Sequence, residues 1–174
     1  MGNEAPNIVN AIIEIPKGSR NKIEYDVELG IFKLDRVLFS AVHYPVAYGF
    51  VPSTLWDDGD PVDILVYSDQ PLPTGILVEA IPIGGLEMHD DKGSDLKLIA
   101  VAAFDQSVNH VRDLESLQEW RKIEIEHFFD TYKLLEGKRV NIGEWINADQ
   151  AKASILKAHE AYKQAKQAPA VEKA

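Results

Sequence analysis

The sequence predicts an α+β fold in which a mainly β core comes first and helices follow. Two observations carry this. Period-2 alternation and β-branched runs fill the chain up to Ala102, whereas apolar positions three and four apart begin only after Ser116. No strand–helix–strand alternation interrupts the first part, so a curled antiparallel sheet or barrel is expected rather than a parallel sheet. A chain of 174 residues suits one domain spanning 1–174, with 1–7 and 164–174 expected to be mobile ends.

The elements follow in order. Residues 7–15 are apolar and β-branched and stop at Pro16, which reads as a strand. Residues 22–26 alternate polar and apolar, and residues 31–37 do so again after a turn at Gly30. They make a hairpin with Lys22 and Glu24 on one face and Ile23 and Tyr25 on the other. Residues 43–52 hold Pro45, Gly49 and Pro52 among aromatics, so an irregular segment or broken edge strand is expected. Residues 62–67, 76–84 and 96–102 are further strands, the last two joined by a polar loop at 88–95. Ser116 and Glu119 fit a capping box that opens a helix carrying Ile125, Phe128, Phe129, Tyr132 and Leu135 on one stripe, with Gly137 as its stop. Residues 139–142 suit a short strand, and Ala148, Ala151, Ile155, Ala158 and Tyr162 mark one face of a second helix.

Composition removes several function classes. Asp+Glu number 28 against 18 Lys+Arg, a net charge of −10, and no basic run offsets it, which disfavours nucleic-acid binding. The absence of cysteine excludes disulfides, thiolate zinc sites and cysteine nucleophiles. The first ten residues lack a basic and apolar leader pattern, and the most apolar stretch, 76–86, is too short to cross a bilayer. A cytoplasmic protein without a membrane partner is expected. None of the five histidines stands at a metal-ligand spacing, and Gly84-Gly85 lacks the pattern of a phosphate loop.

What remains is carboxylate chemistry. Asp57-Asp58-Gly59-Asp60-Pro61-Val62-Asp63 cannot be helical, because Gly59 and Pro61 forbid it. In an extended chain Asp58 and Asp60 would share a side, and a bend at Pro61 would bring Asp63 round. Such a motif is either a solvated acidic turn or a site where a hard cation relieves the repulsion between carboxylates. Asp90, Asp91 and Asp95 form a second acidic group before Lys97. Taken singly, Glu14, Glu24, Lys22 and Arg36 read equally well as surface charges. Tyr44, Tyr48 and Tyr132 read as packing residues with a polar tip, and Lys133 beside Tyr132 needs no special role.

In order and spacing, however, these segments resemble the soluble family I inorganic pyrophosphatases from about residue 8 to residue 163. Asp58-Gly59-Asp60-Pro61-Val62-Asp63-Ile64 fits that family's acidic signature at every position. Ile13-Glu14-Ile15-Pro16, Lys22-Ile23-Glu24-Tyr25-Asp26, Leu34-Asp35-Arg36-Val37 and Tyr44-Pro45-Val46-Ala47-Tyr48-Gly49-Phe50 support it. So do Asp90-Asp91-Lys92-Gly93-Ser94-Asp95-Leu96-Lys97 and His127-Phe128-Phe129-Asp130-Thr131-Tyr132-Lys133.

The resemblance implies a five-stranded, OB-like closed β-barrel flanked by two main C-terminal helices. It implies hydrolysis of pyrophosphate to two orthophosphates by a water activated between two Mg2+ ions, with Mn2+ or Zn2+ as substitutes. By the same resemblance Asp58, Asp63, Asp90 and Asp95 look like metal ligands, with Glu14, Glu24 and Asp91 as accessory acids. Asp60 is similar to the residue that deprotonates the water. Lys22, Arg36, Lys97, Tyr132 and Lys133 match positions that hold phosphate oxygens, assisted by Tyr48 and Tyr44. Asp91 departs from the glutamate commoner there, shortening its reach by one methylene. A homo-oligomer, commonly a hexamer, is also implied. Two rivals stand beside this: a non-catalytic OB-fold module for single-stranded nucleic acid, and a metal-binding pseudo-enzyme.

Overall fold

The computed structural model describes residues 1–90 and 93–167. The side chain of Asp90, together with Asp91, Lys92 and the tail 168–174, lies outside the described residues.

The expected strands form, in the order β1 (Val9–Ile15), β2 (Asn21–Asp26), β3 (Ile31–Val37), β4 (Ala47–Phe50), β5 (Asp63–Tyr67), β6 (Leu77–Asp90) and β7 (Gly93–Ala102). Helix α1 (Glu119–Thr131), a 3-10 turn at Leu134–Glu136, β8 (Asn141–Asn147) and α2 (Ala148–Gln167) follow. Strands β2 and β3 pair as the predicted hairpin. Closure comes from β6, whose 14 residues serve different neighbours along their length. Its first part, Leu77–Ala80, pairs with β1, and from Ala80 onward it pairs with β7. With β1–β4, β4–β5 and β5–β7 also paired, five strands close into a ring, the arrangement a barrel requires. β8 adds to the far part of β6.

Three expectations about the sheet need correction. The segment around Gly49 is no broken edge: β4 pairs with β1 on one side and β5 on the other. Glycine is what permits this, because a Cβ at Gly49 would lie 1.9 Å from the Ile12 carbonyl oxygen. Pro45 and Pro52 flank the strand instead of interrupting it. The polar loop expected at 88–95 is mostly strand, with Met88 opposite Asp95 and Asp90 opposite Gly93 in the β6–β7 ladder. And the ring is not wholly antiparallel, since β5 and β7 run parallel.

The helices cover two separate cores. Ile125, Phe128 and Phe129 of α1 pack with Leu65, Ile83, Leu86 and Ile99. Ala151, Ile155 and Ala158 of α2 pack with Val9, Ile13, Ile64 and Leu98. The predicted Ser116–Glu119 box does not cap α1. The Asp113 carboxylate takes the Ser116 N–H at 2.6 Å, and the helix starts at Glu119 with no side-chain cap. A capping box does open α2: the Asn147 side chain accepts the Gln150 N–H at 3.0 Å while Gln150 accepts the Asn147 N–H at 2.9 Å. Gly137, at φ 73°, ends the 3-10 turn in the left-handed region.

Candidate active site

The ring brings together residues far apart in sequence. Asp63 opens β5 and stands opposite Lys97 on the parallel β7. Asp95 lies two residues before Lys97 and so projects to the same side. The Lys97 ammonium sits between these carboxylates, hydrogen-bonded to Asp63 and 2.7 Å from Asp95 Oδ1. It also donates to the Tyr48 hydroxyl at 3.2 Å, and Phe129 from α1 lies 5.8 Å away. Lys97 is only 4% exposed. Burial alone would lower its pKa, but Asp63 and Asp95 outweigh that and hold it well above the ordinary lysine value.

The acidic motif forms a tight turn rather than an extended stretch. Asp60 donates its N–H to the Asp58 carboxylate at 3.0 Å, and Gly59, at φ 90°, donates its own to the Trp56 carbonyl at 3.0 Å. Trp56 in turn donates to the Asp60 carbonyl at 2.8 Å. The buried Thr54 hydroxyl ties the flanks, donating to the Val51 carbonyl at 2.6 Å and accepting the Val62 N–H at 3.0 Å. Loss of water raises the Asp58 pKa, and the carboxylates of Asp60 and Asp63 add to it. Burial likewise raises Asp95, with Asp63 and Asp58 opposing the relief from Lys97.

A third group lines the hairpin. Lys22 pairs with Glu24 and lies 3.4 Å from Asp35. Lys22 faces Arg36 across the β2–β3 ladder. Arg36 is held from two sides, by Asp35 at 2.5 Å and by Glu136 at 3.0 Å. Asp35 and Glu136 were not among the expected site residues. Asp35 stands beside Arg36 in a motif already singled out, but nothing in the sequence links Glu136 to a residue 100 positions away. Tyr132 stacks on Phe128 with ring centres 5.2 Å apart, and Phe128 lies 4.7 Å from Tyr44. Tyr44 is raised well above the ordinary tyrosine value, first by burial and then by the nearby Tyr132 and Asp63. It therefore remains a hydrogen-bond donor at neutral pH. Lys133 lies 5.2 Å over the Tyr132 ring.

Glu14, at the end of β1, is 8% exposed and accepts the Tyr25 N–H at 2.7 Å. Burial, aided by Asp63 and Glu24, raises its pKa to about 7. The charged form is thus disfavoured in the folded chain, which binds more protons between about pH 4.5 and 7 than the unfolded chain does. Stability contributed by this group is present at the acid end and is lost as pH rises through that window, by at most about 3 kcal/mol. Urea denaturation of the metal-free protein is expected to show this fall, and Glu14→Gln to flatten it. An unchanged slope in the variant would assign the pH dependence to other groups.

The candidates thus fall into one connected set, with Glu14, Asp58, Asp63, Asp95, Lys97, Tyr44 and Tyr48 linked by contacts or by their fields. Asp90 and Asp91 cannot be placed with them, because the first's side chain and the second entirely lie outside the described residues. Among the described residues no three acids or histidines stand together in metal-binding geometry. The Lys97 ammonium lies where Asp63 and Asp95 would otherwise converge. The donor set still suits a hard divalent cation: it is all carboxylate oxygen, and Asp58 and Asp95, raised first by burial and then by neighbouring carboxylates, are held in a setting that a cation would favour. A cavity of about 470 Å³ elsewhere, lined by Ser68, Leu77, Glu79, Phe104 and Asp105 among others, contains none of the candidates.

Comparison with known proteins gives a consistent answer. The model of the family described as inorganic pyrophosphatase matches residues 11–163. The inorganic pyrophosphatase of Thermus thermophilus is 51% identical over 146 residues, 84% of this chain and 82% of that one. That of Sulfolobus acidocaldarius is 46% identical over 157 residues, 88% of this chain and 91% of that one. The crystal structure of the Thermus thermophilus enzyme superposes with a TM-score of 0.91 at 47% identity, covering 93% of this chain and 95% of that one. The Helicobacter pylori inorganic pyrophosphatase gives 0.87 at 42% identity, covering 90% of this chain and 94% of that one. A family match over most of the length, with the same fold beneath it, leaves one assignment: the chain belongs to the family I inorganic pyrophosphatases.

Proposed function

We propose that the chain hydrolyses pyrophosphate to two orthophosphates with magnesium as its working cation, through the acids and cations gathered around Lys97. A divalent-metal cofactor goes with membership of this family. Asp58, Asp63, Asp90 and Asp95 would hold the ions, with Glu14, Glu24 and Asp91 tuning the site from outside. Bound cations would neutralise phosphate oxygens and make a water more acidic. Asp60, exposed at the tip of the turn, accepts the proton that the attacking water gives up. Arg36 suits bidentate contact with a phosphate, whereas Lys22, Lys97 and Lys133 act as point charges. Tyr44, Tyr48 and Tyr132 serve as hydrogen-bond donors, and burial keeps the first two protonated.

The observation that supports this reading most directly is the Asp63–Lys97–Asp95 cluster beside the acidic turn. A solvated surface turn has no reason to sit against a buried, doubly paired lysine. A nucleic-acid module would need a basic groove, yet Lys22, Arg36 and Lys97 are each engaged by carboxylates, and the net charge is −10. Among the described residues no helix is long and apolar enough to cross a membrane. We further propose a cytoplasmic location and a hexameric homo-oligomer.

The test is phosphate release from pyrophosphate. Release is expected in excess magnesium, none in EDTA, and a loss of several orders of magnitude in Asp63→Ala. Folded, magnesium-supplied protein that releases no phosphate would reject the activity. Release that survives chelation would reject the metal.

A further inference from the structure

The segment that leads into the acidic turn is held by the C-terminal helix, and it contains the one non-glycine residue with positive φ among the described residues, Ser53 at 63°. A serine in the left-handed region is sterically disfavoured and persists only where its surroundings over-determine it. Those surroundings belong to α2. His159 Nδ1 lies 2.7 Å from the Ser53 carbonyl oxygen. A carbonyl can only accept, so the nitrogen carries a proton and donates. The adjacent Ala158 carbonyl, although inside the helix, accepts the Leu55 N–H at 2.9 Å. One residue earlier, Lys157 lies 4.8 Å over the Trp56 ring and 3.8 Å from Asp57. Three successive helix residues therefore grip the stretch from Ser53 to Asp57. Trp56 then passes the constraint on, through its hydrogen bonds with Gly59 and Asp60, to the turn that carries Asp58.

We propose that His159 is a positioning residue for the acidic turn: from α2 it clamps Ser53 and so fixes the place of Asp58 and Asp60. This rests on the reading of Asp58 as a metal ligand. His159 touches neither substrate nor metal, and acts through the backbone of residues 53–60. The chemistry asked of it is one N–H donor at the position of Nδ1. Asparagine can supply that from the same place and alanine cannot.

The full chain is titrated with magnesium chloride by calorimetry, and amide hydrogen exchange is followed in the 53–60 segment without metal. Partners that orient metal ligands are worth 10- to 100-fold in affinity, and a residue one link further out should be worth about 3- to 10-fold. His159→Ala is expected to weaken magnesium by that factor and to speed exchange at Leu55 and Trp56, while the urea midpoint of the whole chain moves little. His159→Asn is expected to stay near wild type in both. Equal magnesium affinity in His159→Ala and wild type overturns the positioning role, as does an equal loss in the alanine and asparagine variants. A wild-type chain that takes up no magnesium overturns the ligand reading and the positioning role with it.

Discussion

Asp60→Asn is expected to lower turnover of pyrophosphate by about 10²- to 10⁴-fold while leaving the fold and magnesium binding in place. The substitution is nearly isosteric, and the amide can still accept a hydrogen bond from water. What it cannot do is take the proton. The variant keeps the backbone bonds of the turn, in which Asp60 donates its N–H to Asp58 and accepts from Trp56 through its carbonyl. Removing one of several crowded carboxylates should also ease Asp58, whose pKa is raised first by burial and then in part by Asp60. The pH–rate profile discriminates between roles. If Asp60 is the base, the variant is slower throughout that profile while its magnesium affinity stays near wild type. Turnover close to wild type across the whole pH range would remove Asp60 from the chemistry.

Much of this fold could be read locally, and the exceptions share a cause. β1 and the β2–β3 hairpin stood out because period-2 alternation is a property of a few adjacent residues, and α2 because its buried Ala151, Ile155 and Ala158 repeat at helical spacing. β4 read only as an irregular segment or broken edge strand because Pro45, Gly49 and Pro52 are ordinarily strand breakers. The value of Gly49 lies in the close approach of β1, which no local pattern records. The same holds for the site. The acidic motif and Lys97 were both visible, but their union depends on the parallel register of β5 and β7, two strands separated by the whole of β6. Arg36 was visible and its clamp was not, since Glu136 arrives from beyond α1. The missed capping box is different. Asn147 and Gln150 stand three apart immediately before the apolar stripe, a local signal that fixes the start of α2 more sharply than the stripe does.

Lys97→Met is expected to cost about 3 kcal/mol of stability when metal is absent, because it removes the charge partner and leaves two carboxylates facing each other. Methionine matches the lysine stem in volume, so the substitution removes the ammonium, with its approach to the Tyr48 and Phe129 rings, without opening a cavity. Asp95 and Asp63 side chains are 15% and 22% exposed, so water relieves part of the repulsion and the figure sits at the low end for a broken buried pair. Two further results are expected if charge is the cause. Asp63→Asn, added to Lys97→Met, should recover most of the loss, since one remaining carboxylate has no like-charged neighbour so close. Millimolar magnesium should narrow the gap between variant and wild type, because a cation that binds the folded acids stabilises the state in which they converge. Urea denaturation of the single and double variants, in EDTA and in magnesium, reads both effects. A loss that neither the second substitution nor the metal reduces would mean that repulsion between Asp63 and Asp95 is not its cause. In that case the Asp63–Lys97–Asp95 cluster would no longer support a cation site.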